Sequence, residues 1–223
     1  MIDRPEFDDK QMVEAPFLHY LSLYEACDPE EIAIRTGLTY ENGKFALNLV
    51  GTVYDIGYPD FVVVDRASGN VLRNPYEEIL LIHFMTEGVY APSTEATIDY
   101  RGFQGGNLYY SKFKQRSLDR IAREFGENAD ILKKLTNVAG LAVKTVDGCD
   151  AGICVEFLND LWVTLMIWES DDEFPANSQI LFSDNFSKAF TAEDTAGVCD
   201  ILISRLKKHL LAMAKEKAER NAN

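Results

Sequence analysis

Two strand-length apolar runs, Gly152–Leu158 and Leu161–Trp168, are separated by nothing but Asn159-Asp160. A connection this short joins antiparallel neighbours only, because parallel strands need a crossover of a dozen or more residues. The centre of the chain is therefore expected to be an antiparallel hairpin, and the rest has to be built around it.

The same alternation of short strands and tight turns occurs earlier. Asn42-Gly43 stands between Leu38-Thr39-Tyr40 and Phe45–Val50, a strong hairpin signal. Thr52–Ile56 and Phe61–Asp65 continue as strands around Gly57-Tyr58-Pro59, with a further turn at Ser68-Gly69-Asn70. Thr97–Arg101, Leu141–Val146 and Gln179–Phe182 read as further strands, and Gly102–Gly106 as a flexible turn.

Helices are grouped and do not alternate with strands. Pro16–Cys27 has helical spacing. Asp28-Pro29 and Asn74-Pro75 each place an N-cap before a proline at the first helical position, with Gly37 and Gly88 closing the two helices. Ser117–Phe125 and Asn128–Ala139 form a pair, each followed by glycine. Thr191-Ala192-Glu193-Asp194 opens the longest helix, whose apolar stripe is Val198, Leu202, Leu206, Leu210 and Met213. The pattern predicts an α+β fold with mostly antiparallel sheet, grouped helices and a long C-terminal helix. Residues 1–15 are expected as an arm and 16–214 as one domain, with two lobes meeting near 117–140 as the variant reading. Residues 215–223 are expected as a frayed tail.

Charge excludes some functions. With 36 Asp+Glu against 22 Lys+Arg the net charge is −14, the wrong sign for a protein that exchanges counterions with duplex nucleic acid. The distribution is uneven: Thr145–Ser187 holds nine acids and no Lys or Arg, whereas the last 19 residues hold six Lys/Arg against two Glu, so the rest of the chain sits at −18. No run approaches the 18 or so apolar residues of a membrane span, and the acidic start Met1–Glu6 lacks the order of a signal peptide. A cytoplasmic location is expected. Cys27, Cys149, Cys154 and Cys199 are too scattered for a disulfide framework, a zinc ribbon or an iron–sulfur cluster. They are expected as ordinary thiols.

Two segments have the residue types that chemistry needs. Trp168-Glu169-Ser170-Asp171-Asp172-Glu173-Phe174-Pro175 follows the most hydrophobic strand. Its carboxylates suit a hard cation, with Glu169, Asp171 and Asp172 as candidate ligands, or a general base. The plainer reading is a solvated turn whose acids discourage edge pairing. Arg101-Gly102-Phe103-Gln104-Gly105-Gly106 joins a cation to three glycines, which suits close approach to an anion. It is neither a dinucleotide fingerprint nor a P-loop, and the plainer reading is an Arg paired with the acidic surplus. His19, His83 and His209 form no ligand spacing. The helix start at Thr191, Glu193 and Asp194 has a sufficient capping role and a secondary reading as an anion site. Tyr109-Tyr110, close to Gly105-Gly106, is the one pocket-like aromatic cluster.

Three stretches carry a resemblance. Trp168–Ala176, Ile180-Leu181-Phe182-Ser183 and Thr191-Ala192-Glu193-Asp194 resemble the C-terminal signature of the family catalogued as domain of unknown function 3786, which reads W-x-x-D-x-E-F-P-A, then I-L-F-D, then P-T-E-D. Asp28–Ala33 with Arg35-Thr36-Gly37, Gly51 before Tyr54, and Arg101–Gly106 are similar as well, so the resemblance spans roughly residues 15 to 210. The chain departs from the pattern at Ser183, where Asp is usual, at Ala192, and at Phe190, where Pro is usual. A lost Asp weakens a metal reading. The resemblance implies a protein of anaerobic bacteria and archaea with no assigned activity. It also implies an accessory or cofactor-handling role beside iron–sulfur or corrinoid proteins; any cluster would belong to such a partner.

Three functions follow as expectations. The first is a small-ligand or cofactor-binding accessory protein, with Arg101, Phe103, Tyr109, Trp168, Asp172, Glu173 and Glu193 as candidate binding residues. The second is a hydrolase or transferase using a divalent metal at 169–173. The third is a non-catalytic subunit whose acidic face docks a basic partner and whose C-terminal helix packs on a copy of itself. The cofactor and the oligomeric state are left open.

Overall fold

The computed structural model describes residues 9–222, with side chains described over 16–220. It has the α+β class: helices grouped apart from antiparallel strands, and a long C-terminal helix. The chain divides into two compact units. One holds the chain up to Leu47 together with Val53–Tyr90; the other holds Asn48–Thr52 and everything from Ala91 on. Residues 117–140 lie wholly inside the second unit.

In the first unit, α1 (Asp9–Ala26) packs on α3 (Pro75–Glu87), and α2 (Pro29–Thr36) also contacts α3. α1 starts seven residues before Pro16, inside the segment expected as an arm. Asp28 and Asn74 cap α2 and α3 by accepting from the N–H of Glu30 and Tyr76, and Gly37 closes α2 at φ 69°. The strands run β1 (Thr39–Glu41), β2 (Lys44–Leu49), β3 (Thr52–Gly57) and β4 (Val63–Asp65). Asn42 and Gly43 both have positive φ, the type I′ geometry that this dipeptide favours.

The second unit is built on the central hairpin. β7 (Ala151–Leu158) and β8 (Leu161–Trp168) pair antiparallel, from Ala151 opposite Ile167 to Leu158 opposite Leu161. Asn159 and Asp160 turn between them at positive φ. β6 (Val143–Val146) pairs with β7, and β9 (Asn177–Ser183) with β8. β5 is only Thr97–Ile98, against the end of β9. The strand expected through Arg101 stops early because the Asp99 side chain accepts from Gly102 N–H and turns the chain into a 3₁₀ segment, Tyr100–Gly102.

The helical layer also differs from expectation. The turn expected at Gly102–Gly106 is present over 103–105, but its last residue opens a helix that was not expected, α4 (Gly106–Phe113), which passes through a π turn, Lys114–Leu118, into α5 (Asp119–Phe125). A 3₁₀ helix, Ala129–Asn137, follows in place of an α-helix. After α6 (Phe186–Ala189) comes α7 (Ala192–Ala222), helical past Lys215, where fraying is expected. Thr191 and Asp194 cap α7 reciprocally, Thr191 Oγ1 accepting from Asp194 N–H and Asp194 accepting from Thr191 N–H. Val198, Leu202 and Leu206 of its stripe are fully buried. A cluster of aromatic rings fills the layer between sheet and helices: Tyr100 stacks on Phe113 at 3.9 Å, and Phe182 meets Phe103 and Phe186 at 5.3 and 5.1 Å. The four cysteines are free thiols, and burial pushes Cys199 well above the ordinary thiol range.

Candidate functional site

The loop between β8 and β9 is the acidic segment, and its acids have structural work. Trp168 pairs with Asn177 at the sheet end, so residues 169–176 must turn back within eight positions. Asp171 makes that turn possible by accepting from the N–H groups of Glu173 (2.9 Å) and Phe174 (2.7 Å). Those two donors hold the Asp171 carboxyl below the usual carboxylate range. Glu169 Oε1 accepts from Ala129 N–H at 2.7 Å, capping the 3₁₀ helix, and Asp150 Oδ2 accepts from Glu169 N–H at 2.7 Å. Ala176 packs so closely that position 126 must be glycine: a Cβ on Gly126 would lie 2.3 Å from the Ala176 Cβ.

The same loop bounds a cleft of about 670 Å³. Trp168, half-buried, and Phe174, 66% exposed, stand on one side with Pro175 and Ala176. Leu118 and Ala122 stand on the other, brought there by the π turn and α5. The π turn is itself held by the sheet, since Leu118 C=O accepts from Ser178 Oγ at 2.8 Å. π turns recur at functional sites. Four carboxylates reach the cleft, Asp119, Asp150, Glu169 and Asp171, against one ammonium, Lys114, which already pairs with Asp119 at 2.5 Å. Asp150, Glu169 and Asp171 are each fixed through one oxygen on a backbone N–H. No hydrogen bond from a described residue reaches the second oxygen of any of the three.

The sequence-predicted residues separate into two sets. Trp168, Glu169 and Asp171 line the cleft, and Asp172 and Glu173 lie exposed in its loop. Arg101, Phe103, Tyr109 and Glu193 do not line it. Arg101 pairs with Asp99 at 2.7 Å and lies 4.8 Å over the Tyr110 ring. Phe103 is a core residue, and Tyr109 is 54% exposed on α4. Gly106 serves packing, since a Cβ on it would lie 2.0 Å from Tyr100 O, while Gly105 supplies a turn at φ 80°. Glu193 is exposed in the first turn of α7. Among the described residues no group of three or more His, Cys, Asp or Glu is arranged to hold a metal ion.

Lys114, Leu118, Asp119 and Asp150 are cleft residues that sequence reasoning missed. Asp150 had a signal, being one of nine acids in the base-free stretch; the other three are placed only by the packing of the π turn on β9. Asp184, next to Ser183, has a structural task as well. It accepts from Ser93 Oγ, Thr94 N–H and Thr94 Oγ1 at 3.0, 3.1 and 2.6 Å, while Ser183 Oγ bonds Asn185. The hydrogen bonds from Thr94 hold Asp184 below the usual carboxylate range.

The family described as a domain of unknown function (DUF3786) matches residues 28–205. No curated protein and no solved structure matches the chain. No described helix is long and apolar enough to cross a membrane.

Proposed function

The chain belongs to the family described as a domain of unknown function (DUF3786), and from the cleft we propose that this member is a binding protein for a small organic cation. The observation that carries the reading is the imbalance of four carboxylates to one already paired ammonium around a half-buried tryptophan. Fixed carboxylates make charge-assisted hydrogen bonds to an ammonium or guanidinium, and an indole face attracts the same charge. A volume of about 670 Å³ suits a metabolite-sized ligand. Asp171, held below the usual carboxylate range, is a steady negative charge near neutral pH and a poor proton donor there, which favours binding over acid catalysis. A cytoplasmic accessory role that hands a bound ligand to a partner fits this reading, as does the cofactor-handling setting implied by the resemblance.

A variant with Trp162→Phe leaves Trp168 as the only tryptophan, so its emission reports on the cleft. Titration with agmatine, choline and spermidine is expected to give a saturable change, with affinity falling about tenfold in Asp171→Asn as one charge-assisted contact is lost. Acetate and phosphate are expected to leave the emission unchanged. Absence of any response to the cations, together with native mass spectra showing either no retained small molecule or an anionic one, overturns the proposal.

A further inference from the structure

α7 changes character along its length. Leu206 is its last buried residue, and from Lys207 to Arg220 every described side chain is exposed or half-buried, yet the helix runs on to Ala222. A helical end that half-buries only His209, Leu210 and Met213 is marginal in water. This end borders a groove of about 610 Å³, walled on the other side by Asn137–Ala139. His209, Met213, Lys217 and Arg220 line it from α7 at helical spacing, so they share one face. His209 Nε2 bonds Val50 C=O at 3.2 Å, fixing the inner end. Val138, Ala139 and Met213 supply an apolar floor. Glu216 also lines the groove, its carboxylate 4.0 Å from Arg220, a stretched pair that a better anion can replace.

Lys and Arg near a helix C-terminus complement its dipole. That explains the sign of the charge, but it does not explain an apolar floor beside it. We propose that this groove binds a small amphiphilic carboxylate, its head group between Lys217 and Arg220 and its chain along Met213, Val138 and Ala139. The overall charge of −14 repels anions at long range. At the surface that repulsion is screened beyond roughly 8 Å, so the two cations act locally. An Arg and a Lys together make a two-point contact with a carboxylate that an ammonium head group cannot make. The groove is separate in residues and in sign from the acidic cleft, and neither reading depends on the other.

The test is calorimetric titration of the whole protein with laurate below its micellar concentration. Acetate, which lacks the chain, and dodecyltrimethylammonium, which inverts the charge, serve as comparison ligands. Laurate is expected to bind saturably, and its affinity to fall more than about tenfold in the double variant Lys217→Glu, Arg220→Glu. The double variant Lys208→Glu, Lys215→Glu makes the same change in net charge, −4, on the same helix outside the groove, and Lys215→Glu alone makes half of it, so Lys215→Glu is expected to alter affinity less than about twofold and the pair well short of tenfold. All four positions are exposed, and circular dichroism checks that the helix is retained. The proposal is overturned if dodecyltrimethylammonium binds as well as laurate, if the Lys217, Arg220 double variant binds like the parent, or if the Lys208, Lys215 double variant weakens binding as much. It is also overturned if only vesicles containing anionic lipid, and not laurate, bind the protein.

Discussion

The Arg101–Gly106 segment and the loop 169–176 both combine charge, aromatic rings and residues that turn the chain, and they resolve in opposite ways. In the first, each conspicuous residue is used up internally: Arg101 by Asp99, Phe103 by Phe182, Gly106 by Tyr100 O. In the second, Glu169 and Asp171 cap backbone groups with one oxygen and keep the other, and Phe174 remains open to solvent. Residue type therefore does not distinguish a packing turn from a site. What distinguishes them is whether hydrogen-bonding capacity and apolar surface are left over once the local structure has been satisfied.

Four changes bear on this contrast. Phe103→Ala is expected to have the largest effect, costing about 4 kcal/mol in urea unfolding because it empties an aromatic core position. A loss below about 1 kcal/mol would mean that the segment is not core. Gly126→Ala is expected to cost about 2 kcal/mol, since its Cβ meets Ala176 and Ala122 O at 2.3 Å. Unlike Phe103→Ala, it is also expected to weaken binding of the cation proposed for the cleft, because Ala176 is part of the cleft wall.

The third concerns pH. Burial pushes the Glu124 carboxyl up, but the Lys207 ammonium 2.9 Å from its Oε2 and a hydrogen bond from Arg120 more than offset this and hold it below the usual range. A carboxyl lowered in the folded state stabilises above its unfolded pKa, and that contribution is lost as pH falls through the folded value. The wild type is thus expected to lose about 1 kcal/mol more than Glu124→Gln between pH 7 and pH 3. Equal slopes would show that the pairs linking α5 to α7 contribute nothing. Arg101→Ala is the smallest: its ion pair is exposed, so the Tm is expected to move by about a degree or less, with cleft affinity unchanged. A clear loss of affinity would return Arg101 to the site.

Much of the fold was legible because its signals are local. Asp28-Pro29, Asn74-Pro75, Asn42-Gly43 and Asn159-Asp160 each fix a cap or a turn within a few residues, and the structure uses them that way. α4 was not legible. Three glycines within five residues read as a turn, and residues 103–105 are one, but Gly106 also opens a helix, at a place where only hydrogen fits beside Tyr100 O. The cleft was half legible for the same reason. Its acidic loop is contiguous, but Lys114, Leu118 and Asp119 reach it through the π turn, which no spacing in a single sequence announces. The acids were visible while their capping roles were not, since Glu169 and Ala129 are forty positions apart.

The π turn also makes length count between Gly106 and Phe125. A π turn takes up one surplus residue in a local bulge of an α-helix, so the flanking helices keep nearly the facing they would have without it. Deleting a single residue from Lys114–Leu118 would restore regular hydrogen bonding and flatten the bulge, and the protein would keep the Tyr100–Phe113 stack at 3.9 Å but lose the presentation of Lys114 and Leu118 to the cleft. Substitutions on the solvent side of this stretch are cheap by comparison. Here the number of residues is a stricter requirement than the identity of most of them.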